Sequence, residues 1–260
     1  MLKGKTALVT GSTSGIGLGI AKALAAQGAD ILLNGFGEVE AAKAQVVSAG
    51  QAHKIRVEYH SADMGQPKDI EAMMAFGIEH FGVIDIVVNN AGIQHVAAVQ
   101  DFPVDKWDAI LAINLSSAFH TTRLALPAMQ KANWGRIINI ASVHGLVGSA
   151  QKSAYVAAKH GLVGLTKVTA LENATNGITC NAICPGWVLT PLVQKQVDAK
   201  AAAQGISIEE ATQQLLGEKE PSMQFTTPEE LGALAVFFCS EAANNVRGVA
   251  WNMDGGWAAQ

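Results

Sequence analysis

The sequence predicts an α/β domain with one doubly wound parallel sheet of about seven strands and helices on both faces. Short apolar segments alternate with longer segments of helical periodicity along the whole chain. Most of the apolar segments are continuous, as expected for strands that are covered on both faces. The 260 residues show one composition throughout, without a repeat or linker, so we expect a single domain over 1–260.

Seven segments have the length and composition of buried strands. Strand, helix and strand in repeated succession indicate parallel strands joined by right-handed crossovers. In chain order, the predicted strands are 6–10, 30–34, 55–60, 84–90, 136–142, 178–183 and 249–254.

The segments between the strands carry helix signals. Ile16, Ile20 and Leu24 recur at a spacing of four and define one face of the first helix. The segment 67–82 starts with proline, which is favoured in the first turn of a helix. The segment 227–241 begins with Thr-Pro followed by two acidic residues, which suits a helix N-terminus.

One connection is much longer than the others. About 38 residues, 190–227, separate a strand from the last helix. Such long connections are often lids over an active site. Much of this one has a helical composition with a break at Gly205, so we expect a helical substrate lid.

Composition and charge exclude several classes of protein. The net charge is −4 without a run of like charge, which argues against a nucleic-acid or anionic-membrane surface. No signal peptide and no apolar run long enough for a bilayer are recognisable. Cys180 and Cys184 would lie roughly 13 Å apart on one strand, too far for a disulfide. With Cys239, they are interpreted as core residues in a reducing cytoplasm, and no metal-ligand spacing is present.

The segment 10–17, TGSTSGIG, follows the first strand and opens the first helix. Gly11, Gly15 and Gly17 allow a tight turn and let the backbone approach a pyrophosphate at a helix N-terminus. The alternative is a simple glycine-rich turn. Its position as the first strand-to-helix turn of an α/β chain favours dinucleotide binding.

The end of the second strand is informative about the type of dinucleotide. Residues 34–36 include neither an acid for a ribose hydroxyl nor a base for a 2′-phosphate. Because a 2′-phosphate would lack a charged partner, we favour NAD. Phe36 is expected to line the adenosine pocket. Asp63 is expected to accept from the adenine amino group, unless it is an ordinary turn or capping residue.

The fourth strand ends in NNAG (89–92), whose small residues suit a nicotinamide ribose close to the backbone. The fifth strand places Ser142 at the same edge of the sheet, and Tyr155 and Lys159 follow at a spacing of four on a helix. A nearby ammonium should lower the high pKa of a tyrosine. This set predicts hydride transfer coupled to proton transfer on a carbonyl–alcohol pair. The alternative is an unrelated pair on the helix surface.

The combination of TGxxxGIG, NNAG, a serine thirteen residues before YxxxK, and CPGWVLT resembles the short-chain dehydrogenase/reductase family, over residues 5–257. The resemblance implies a Rossmann-type fold with Tyr155 as acid/base, Lys159 as its partner and Ser142 orienting the substrate. It also implies that Asn114 holds a water in a proton relay toward Lys159. Many NAD-preferring members have aspartate at the end of the second strand, whereas this chain does not.

The expected cofactor-binding set combines the glycine turn, the adenosine end, the NNAG segment, the catalytic pair and the segment 185–190, which contacts the nicotinamide in that family. Its members are Gly11, Thr13, Ser14, Gly15, Ile16, Gly17, Phe36, Asp63, Met64, Asn90, Ala91, Gly92, Tyr155, Lys159, Pro185, Gly186, Trp187, Val188 and Thr190.

Further polar and aromatic residues lie near these motifs and indicate which class of substrate the site binds. If the polar ones converge, they form a cation-bearing clamp for a small carboxylate, and the two tryptophans bound an apolar pocket. Each also has an ordinary interpretation as a surface, loop, core or interface residue. With Ser142 and Tyr155, the predicted substrate-binding residues are Gln94, His144, Lys152, Trp187, Gln196 and Trp257.

The same residues, with GIQHVAAVQDFP and NAICPGWVLTPLV, resemble the bacterial members of that family that interconvert (R)-3-hydroxybutyrate and acetoacetate with NAD. The resemblance implies a lid that closes over the substrate and a cytoplasmic homotetramer in ketone-body or polyhydroxybutyrate metabolism. Two alternatives stay open. One is a 3-oxoacyl-thioester reductase, which usually has a basic 2′-phosphate site. The other is a non-catalytic dinucleotide sensor, which need not keep the Ser–Tyr–Lys set.

Overall fold

In the computed structural model, which describes residues 1–259, seven parallel strands form one sheet. The strand order is β3-β2-β1-β4-β5-β6-β7, which confirms the doubly wound, Rossmann-type sheet. The strands are β1 (Thr6–Val9), β2 (Asp30–Asn34), β3 (Val57–His60), β4 (Ile86–Asn89), β5 (Gly135–Ile140), β6 (Ile178–Pro185) and β7 (Ala250–Met253).

Helices cover both faces of the sheet. They are α1 (Gly15–Ala26), α2 (Val39–Ala49), α3 (Pro67–Phe81), α4 (Val104–Leu111), α5 (Ser117–Ala132), α6 (Ser153–Glu172), α7 (Pro191–Gln204), α8 (Ile208–Gly217) and α9 (Pro228–Cys239). The proline starts predicted for α3 and α9 are confirmed, and Thr227 and Glu230 form a capping box at α9.

Adjacent residues of β1 show how one sheet supports two cores. Leu8 packs with Met73 of α3 and Met129 of α5 on one face. Val9 packs with Ile20 of α1 and Phe238 of α9 on the other face. Since successive side chains of a strand point to opposite faces, a fully buried strand needs apolar residues at every position. This explains the continuous apolar runs of the sequence.

The sheet order reverses between β1 and β4, where the chain leaves one half of the sheet and starts the other. In doubly wound sheets, ligands bind at this point, beyond the carboxyl ends of the strands. The glycine turn follows β1, the NNAG segment follows β4, and Ser142 follows β5. The fold therefore brings three separate motifs to one edge.

The long connection contains two helices, as predicted. α7 ends at Gln204, and Gly205 adopts a left-handed conformation with φ 65°, so glycine terminates the helix. The two ends of the connection meet: Leu189 donates its backbone N–H to the Thr226 carbonyl at 2.9 Å, and Thr226 donates to the Trp187 carbonyl at 3.0 Å. The connection is thus anchored at one base, next to the end of β6.

The three cysteines are free and buried, as expected for core residues. Over residues 1–259, none of the helices combines the length and apolar character that spanning a membrane requires.

Candidate active site

The glycine turn after β1 is shaped for an anion. Gly11 and Gly15 have φ of 61° and 53°, in the left-handed region that favours glycine. A Cβ at Gly17 would overlap the Gly11 carbonyl oxygen. Ser14 precedes α1 without capping it through its side chain, and the first turn contains no acidic residue. The first N–H groups of α1 therefore fit a pyrophosphate.

The NNAG segment braces this turn. Asn90 Nδ2 donates to the carbonyl oxygens of Thr10 and Gly11 at 2.8 and 2.9 Å. In return, Thr10 Oγ1 accepts the backbone N–H groups of Asn90 and Ala91, both at 3.0 Å. These reciprocal contacts fix the ends of β1 and β4 relative to each other, and Gly92 continues toward the catalytic side. The predicted pyrophosphate and nicotinamide ends form one rigid edge.

The adenosine end contains no charged side chain at 34–36. Asn34 is buried, and it accepts from the Gly11 N–H at 3.3 Å and donates to the Ala62 carbonyl at 2.9 Å. It therefore stabilises the turn and is not available to a ribose. Phe36 is 69% exposed, and its carbonyl accepts from Thr13 Oγ1 at 2.6 Å. An exposed aromatic ring at this edge is free to contact an adenine.

Two residues of the predicted cofactor set have other contacts. Asp63 Oδ1 accepts from the Gly65 N–H at 2.8 Å, which is the turn contact considered as the alternative. Its other oxygen still leaves room for the predicted adenine contact. Met64 is buried in the core with Met73 and Met74, so only its backbone can face the cofactor.

Ser142 and Tyr155 meet across the edge of the sheet. Ser142 follows β5, and its hydroxyl accepts the His144 N–H at 3.2 Å. Tyr155 lies in the first turn of α6 and forms a side-chain hydrogen bond with Ser142. Lys159, one turn later, places its ammonium 5.5 Å from the centroid of the Tyr155 ring. The spacing seen in the sequence thus produces one compact cluster.

The electrostatics of this cluster differ from the expectation that Lys159 lowers the pKa of Tyr155. Burial raises the pKa of Tyr155, and the hydrogen bond with Ser142 only partly opposes this. Burial also lowers the pKa of Lys159 to about 8. The reason is geometric: Lys159 Nζ donates to the Ile140 carbonyl at 2.7 Å and does not pair with the phenol oxygen. In this state, the phenol keeps its proton at neutral pH.

Asn114 lies in a π-helical segment, Ala112–Ser116, between α4 and α5. Its side chain accepts from the Ile93 N–H at 2.8 Å and donates to the Ile93 carbonyl at 2.9 Å. Both side-chain groups therefore anchor the loop after β4. Such π segments rearrange backbone hydrogen bonds and are frequent at functional sites. A water relay toward Lys159 stays a prediction, and it would have to use the backbone of Asn114.

Four of the predicted substrate residues lie in contacts that begin at Tyr155. The His144 ring packs edge-on against Tyr155 and Trp257, with centroid distances of 6.2 and 5.1 Å. Lys152 Nζ lies 6.0 Å from the centroid of the Trp187 ring. Burial, assisted by the positive charges of Lys152 and Lys219, lowers the pKa of His144 to about 4. The imidazole is consequently neutral at physiological pH.

Two polar atoms in this cluster are buried without a hydrogen-bond partner among residues 1–259. They are His144 Nδ1 and Trp187 Nε1. Buried polar groups normally have a partner, so such atoms at a candidate site suit a ligand. Burial also lowers the pKa of Lys152. An anion beside Lys152 would compensate this loss of hydration, which is the chemistry of a carboxylate site.

The two glutamines are not brought into this cluster. Gln94 and Gln196 are exposed, on the loop after β4 and on α7 respectively. The loop of Gln94 does reach the cluster, because Ala97 donates its N–H to the Gln151 carbonyl at 2.9 Å, next to Lys152. Substrate contacts of Gln94 and Gln196 stay predictions that need side-chain movement or lid movement.

Sequence reasoning missed a buried polar network behind the site. Thr121 Oγ1 donates to Asn89 Oδ1 at 2.6 Å, and Asn89 Nδ2 donates to Asn139 Oδ1 at 2.8 Å. Asn139 Nδ2 then donates to Thr166 Oγ1 at 2.8 Å. The network ties β4 and β5 to α5 and α6, the helix of Tyr155. Polar residues inside predicted buried strands were the available signal.

Sequence reasoning also missed Glu220, which lies between α8 and α9 near the end of the long connection. Its side chain accepts the backbone N–H of Trp187, and the residue is buried. A glutamate in a polar connection carries no sequence signal of burial.

Comparisons with known proteins agree with this geometry. The family model described as short chain dehydrogenase matches residues 5–201. D-beta-hydroxybutyrate dehydrogenase of Cupriavidus necator is 70% identical over 260 residues, which is 100% of both chains. D-beta-hydroxybutyrate dehydrogenase of Rhizobium meliloti is 51% identical over 256 residues, covering 98% of this chain and 99% of the relative.

Solved structures show the same fold. A variant of actinorhodin polyketide ketoreductase, determined with NADPH, superimposes with a TM-score of 0.88 at 32% identity, and 100% of each chain is covered. Motifs, sheet order and the Ser142–Tyr155–Lys159 cluster all agree with the family match. The chain belongs to the short chain dehydrogenase family.

Proposed function

We propose that this chain interconverts (R)-3-hydroxybutyrate and acetoacetate with NAD as the hydride carrier. The observation that carries the proposal is the chain of contacts beside the Ser142–Tyr155 pair. His144 packs against both Tyr155 and Trp257, and Lys152 lies near the Trp187 ring and acts on His144 through its charge. Two relatives of this chain, 70% and 51% identical, have the name D-beta-hydroxybutyrate dehydrogenase, which supports the choice of substrate.

The polar residues bind one end of the substrate and the apolar ones the other. Lys152 supplies a positive charge for the carboxylate, and the neutral His144 supplies a ring nitrogen. Trp187 and Trp257 limit the space beside the reacting carbon, which suits a methyl group. A site that combines the Lys152 cation with two tryptophans favours a short free acid over a long thioester.

The reaction needs a proton at the substrate oxygen. A nicotinamide dinucleotide held at this edge would supply the hydride acceptor for the alcohol and, in its reduced form, the hydride donor for the ketone. Ser142 donates a hydrogen bond to the substrate oxygen and fixes its position. Tyr155 delivers its proton to that oxygen in ketone reduction and removes it in alcohol oxidation. Because burial raises the pKa of Tyr155, the reducing direction starts from the form present at neutral pH.

The chain's own residues fit a dinucleotide. The glycine turn offers uncapped N–H groups at α1, and Thr190 approaches that turn, since its Cγ2 lies 3.3 Å from where a Cβ on Gly15 would be. We propose that Lys159, whose ammonium donates to the Ile140 carbonyl, also binds the ribose hydroxyls. We propose NAD over NADP because the end of β2 offers no cation to a 2′-phosphate.

We further propose a cytoplasmic homotetramer. Exposed apolar side chains on α5 and α6, namely Phe119, Val168 and Leu171, offer a surface for a second copy of the chain. Sedimentation or light scattering of the purified protein tests the assembly.

A substrate screen tests the function. We expect NADH absorbance to rise on mixing the enzyme with (R)-3-hydroxybutyrate and NAD, and to rise much less with NADP or the (S)-enantiomer. Turnover of acetoacetyl thioesters with NADPH, without oxidation of the free hydroxy acid, would replace the proposal by a 3-oxoacyl-thioester reductase. Tight NAD binding without any turnover would indicate a dinucleotide sensor.

A further inference from the structure

Glu220 lies in the turn between α8 and α9 and is 1% exposed. Its Oε1 accepts a hydrogen bond from the backbone N–H of Trp187. Its Oε2 is buried and has no hydrogen-bond partner within residues 1–259. A buried carboxyl group is costly unless its surroundings compensate it, so its position in a lid calls for an explanation.

Two glycines make room for this side chain. A Cβ at Gly186 would overlap Glu220 Oε1, and a Cβ at Gly255 would lie 3.2 Å from Glu220 Oε2. Gly186 directly precedes Trp187, and Gly255 lies two residues before Trp257. The carboxyl group is therefore wedged between the two loops that carry the tryptophans of the candidate substrate pocket.

The turn around Glu220 lies against the same pocket. Ser222 donates its N–H to the Gly255 carbonyl at 3.0 Å, which adds a backbone contact to one of these loops. Lys219 is close enough to His144 for its charge to lower the pKa of that ring. The end of the lid thus contacts the pocket through several residues, and the Glu220 side chain touches both tryptophan loops.

We propose that Glu220 is a positioning residue that fixes the end of the lid against the Trp187 and Trp257 loops, and that its protonated form closes the pocket. The inference rests on the proposed function for the identity of the substrate. Glu220 itself does not touch the reacting atoms. It acts through the position of Trp187 and through the position of the lid.

Protonation matters because of the groups that face Glu220. The loop 185–188 contributes no titratable side chain. On the lid itself, Glu218 and Lys219 directly precede Glu220. Asp254, in the turn after β7, faces Glu220. The Asp254 carboxylate accepts hydrogen bonds from the N–H groups of Gly256 and Ala258 at 3.2 and 2.9 Å. Burial raises the pKa of Glu220 to about 7; the hydrogen bond from the Trp187 N–H partly opposes this, and the charge of Asp254 adds a smaller increase.

The direction of the pH effect follows from this geometry. Below pH 7, the carboxyl group is neutral and fits beside the charged Asp254. Above pH 7, ionisation places a second negative charge in the same buried space, which favours the open lid. Substrate affinity should therefore fall as the pH rises through this value, whereas cofactor affinity should not follow it.

Kinetics of three variants test the proposal, with the Michaelis constants for the hydroxy acid and for NAD measured from pH 6 to 9. We expect the wild-type KM for the hydroxy acid to rise about tenfold over this range, a change typical of a lost buried hydrogen bond. Glu220→Gln, which keeps the acceptor and stays neutral, should hold the low KM throughout. Glu220→Ala should have the high KM at every pH. The KM for NAD should change less than about threefold in each case.

Glu218→Gln is the matched control, because this glutamate lies on the same segment, its side chain is 58% exposed, and it pairs with Lys200 at the surface. It should show the wild-type pH profile. An identical pH dependence in the wild type and Glu220→Gln, or a wild-type KM in Glu220→Ala, would overturn the proposal.

Hydrogen exchange of the cofactor-free protein gives a second readout that needs no turnover. After correction for intrinsic rates, exchange in 191–217 should accelerate above pH 7 in the wild type and not in Glu220→Gln. Thermal melting confirms that each variant is folded. If the hydroxy acid is not oxidised but the exchange pattern appears, the proposed function fails and the role of Glu220 stands. If oxidation occurs without the exchange pattern, the role of Glu220 fails.

Discussion

Replacement of Tyr155 by phenylalanine removes one oxygen atom from the centre of the candidate site. The ring remains, so its packing against His144 is kept. The proton donor and the hydrogen bond with Ser142 are lost. Lys159 keeps its contact with the Ile140 carbonyl at 2.7 Å, so its position does not depend on the phenol.

The magnitudes follow from these contacts. Loss of a positioned acid/base group lowers kcat by about 10²–10⁴-fold, or about 3–5 kcal/mol in the barrier. Loss of one partly buried hydrogen bond lowers the free energy of unfolding by only about 1 kcal/mol. The dissociation constant of NAD should change less than about threefold, because Lys159 and the glycine turn are unchanged. The variant should thus be folded, bind NAD and be nearly inactive.

The assay measures kcat from NADH absorbance, NAD affinity from fluorescence titration, and stability from thermal unfolding. Tyr59→Phe is the matched control, since Tyr59 is the other of the two tyrosines and donates to the Gly35 carbonyl at 2.8 Å. It should lose similar stability and keep its kcat. A Tyr155→Phe enzyme with kcat within tenfold of the wild type would refute the acid/base assignment.

Three further predictions concern the carboxylate clamp, the glycine turn and pH. Lys152→Ala should raise the KM for the hydroxy acid by about 10–100-fold, the loss of one charge-assisted contact, with little change in the KM for NAD. Gly17→Ala should weaken NAD binding at least about tenfold, because the added Cβ overlaps the Gly11 carbonyl oxygen, whereas Gly164→Ala, with no atom within 4 Å of its Cβ, should not. His144 has a folded pKa of about 4, below its usual 6.5, so stability should fall as the pH falls from 6.5 to 4, and His144→Gln should flatten this slope.

Each prediction has a contrary result. An unchanged KM in Lys152→Ala, matching that of the exposed Lys167→Ala, would make Lys152 an ordinary surface residue. Wild-type NAD affinity in Gly17→Ala would mean that the turn does not hold the pyrophosphate. On acidification, His144 is protonated in the unfolded state before it is protonated in the folded state. A melting temperature of the wild type that rises between pH 6.5 and pH 4 would therefore contradict the burial argument.

Much of the fold was readable from the sequence because parallel strands are buried on both faces and therefore appear as continuous apolar runs. Predicted strand 30–34 coincides with β2, and β3 starts two residues later than predicted, at Val57. The end of β6 was predicted at 183 but lies at Pro185, because pairing with β7 continues to Met253. Such boundaries depend on the partner strand, which a local pattern does not contain.

The candidate catalytic cluster could be predicted from the sequence because each motif follows a strand end, and the carboxyl ends of parallel strands share one edge. The helical spacing of Tyr155 and Lys159 determined that they lie near each other, and the structure places them so. The pKa shifts of these two side chains could not be predicted from the sequence. The Ile140 carbonyl that holds Lys159, and the burial that raises the pKa of Tyr155, come from segments distant in sequence.

The sequence by itself determined the sheet, the glycine turn after β1 and the residue types of the candidate catalytic set, because these depend on local periodicity and spacing. Only the tertiary structure decided which residues of the long connection are buried against the candidate site. Glu220 has no sequence signal, yet it is buried between Gly186 and Gly255. Burial and proton affinity are set by what surrounds a side chain, and for Glu220 those surroundings come from loops about 35 residues away in either direction.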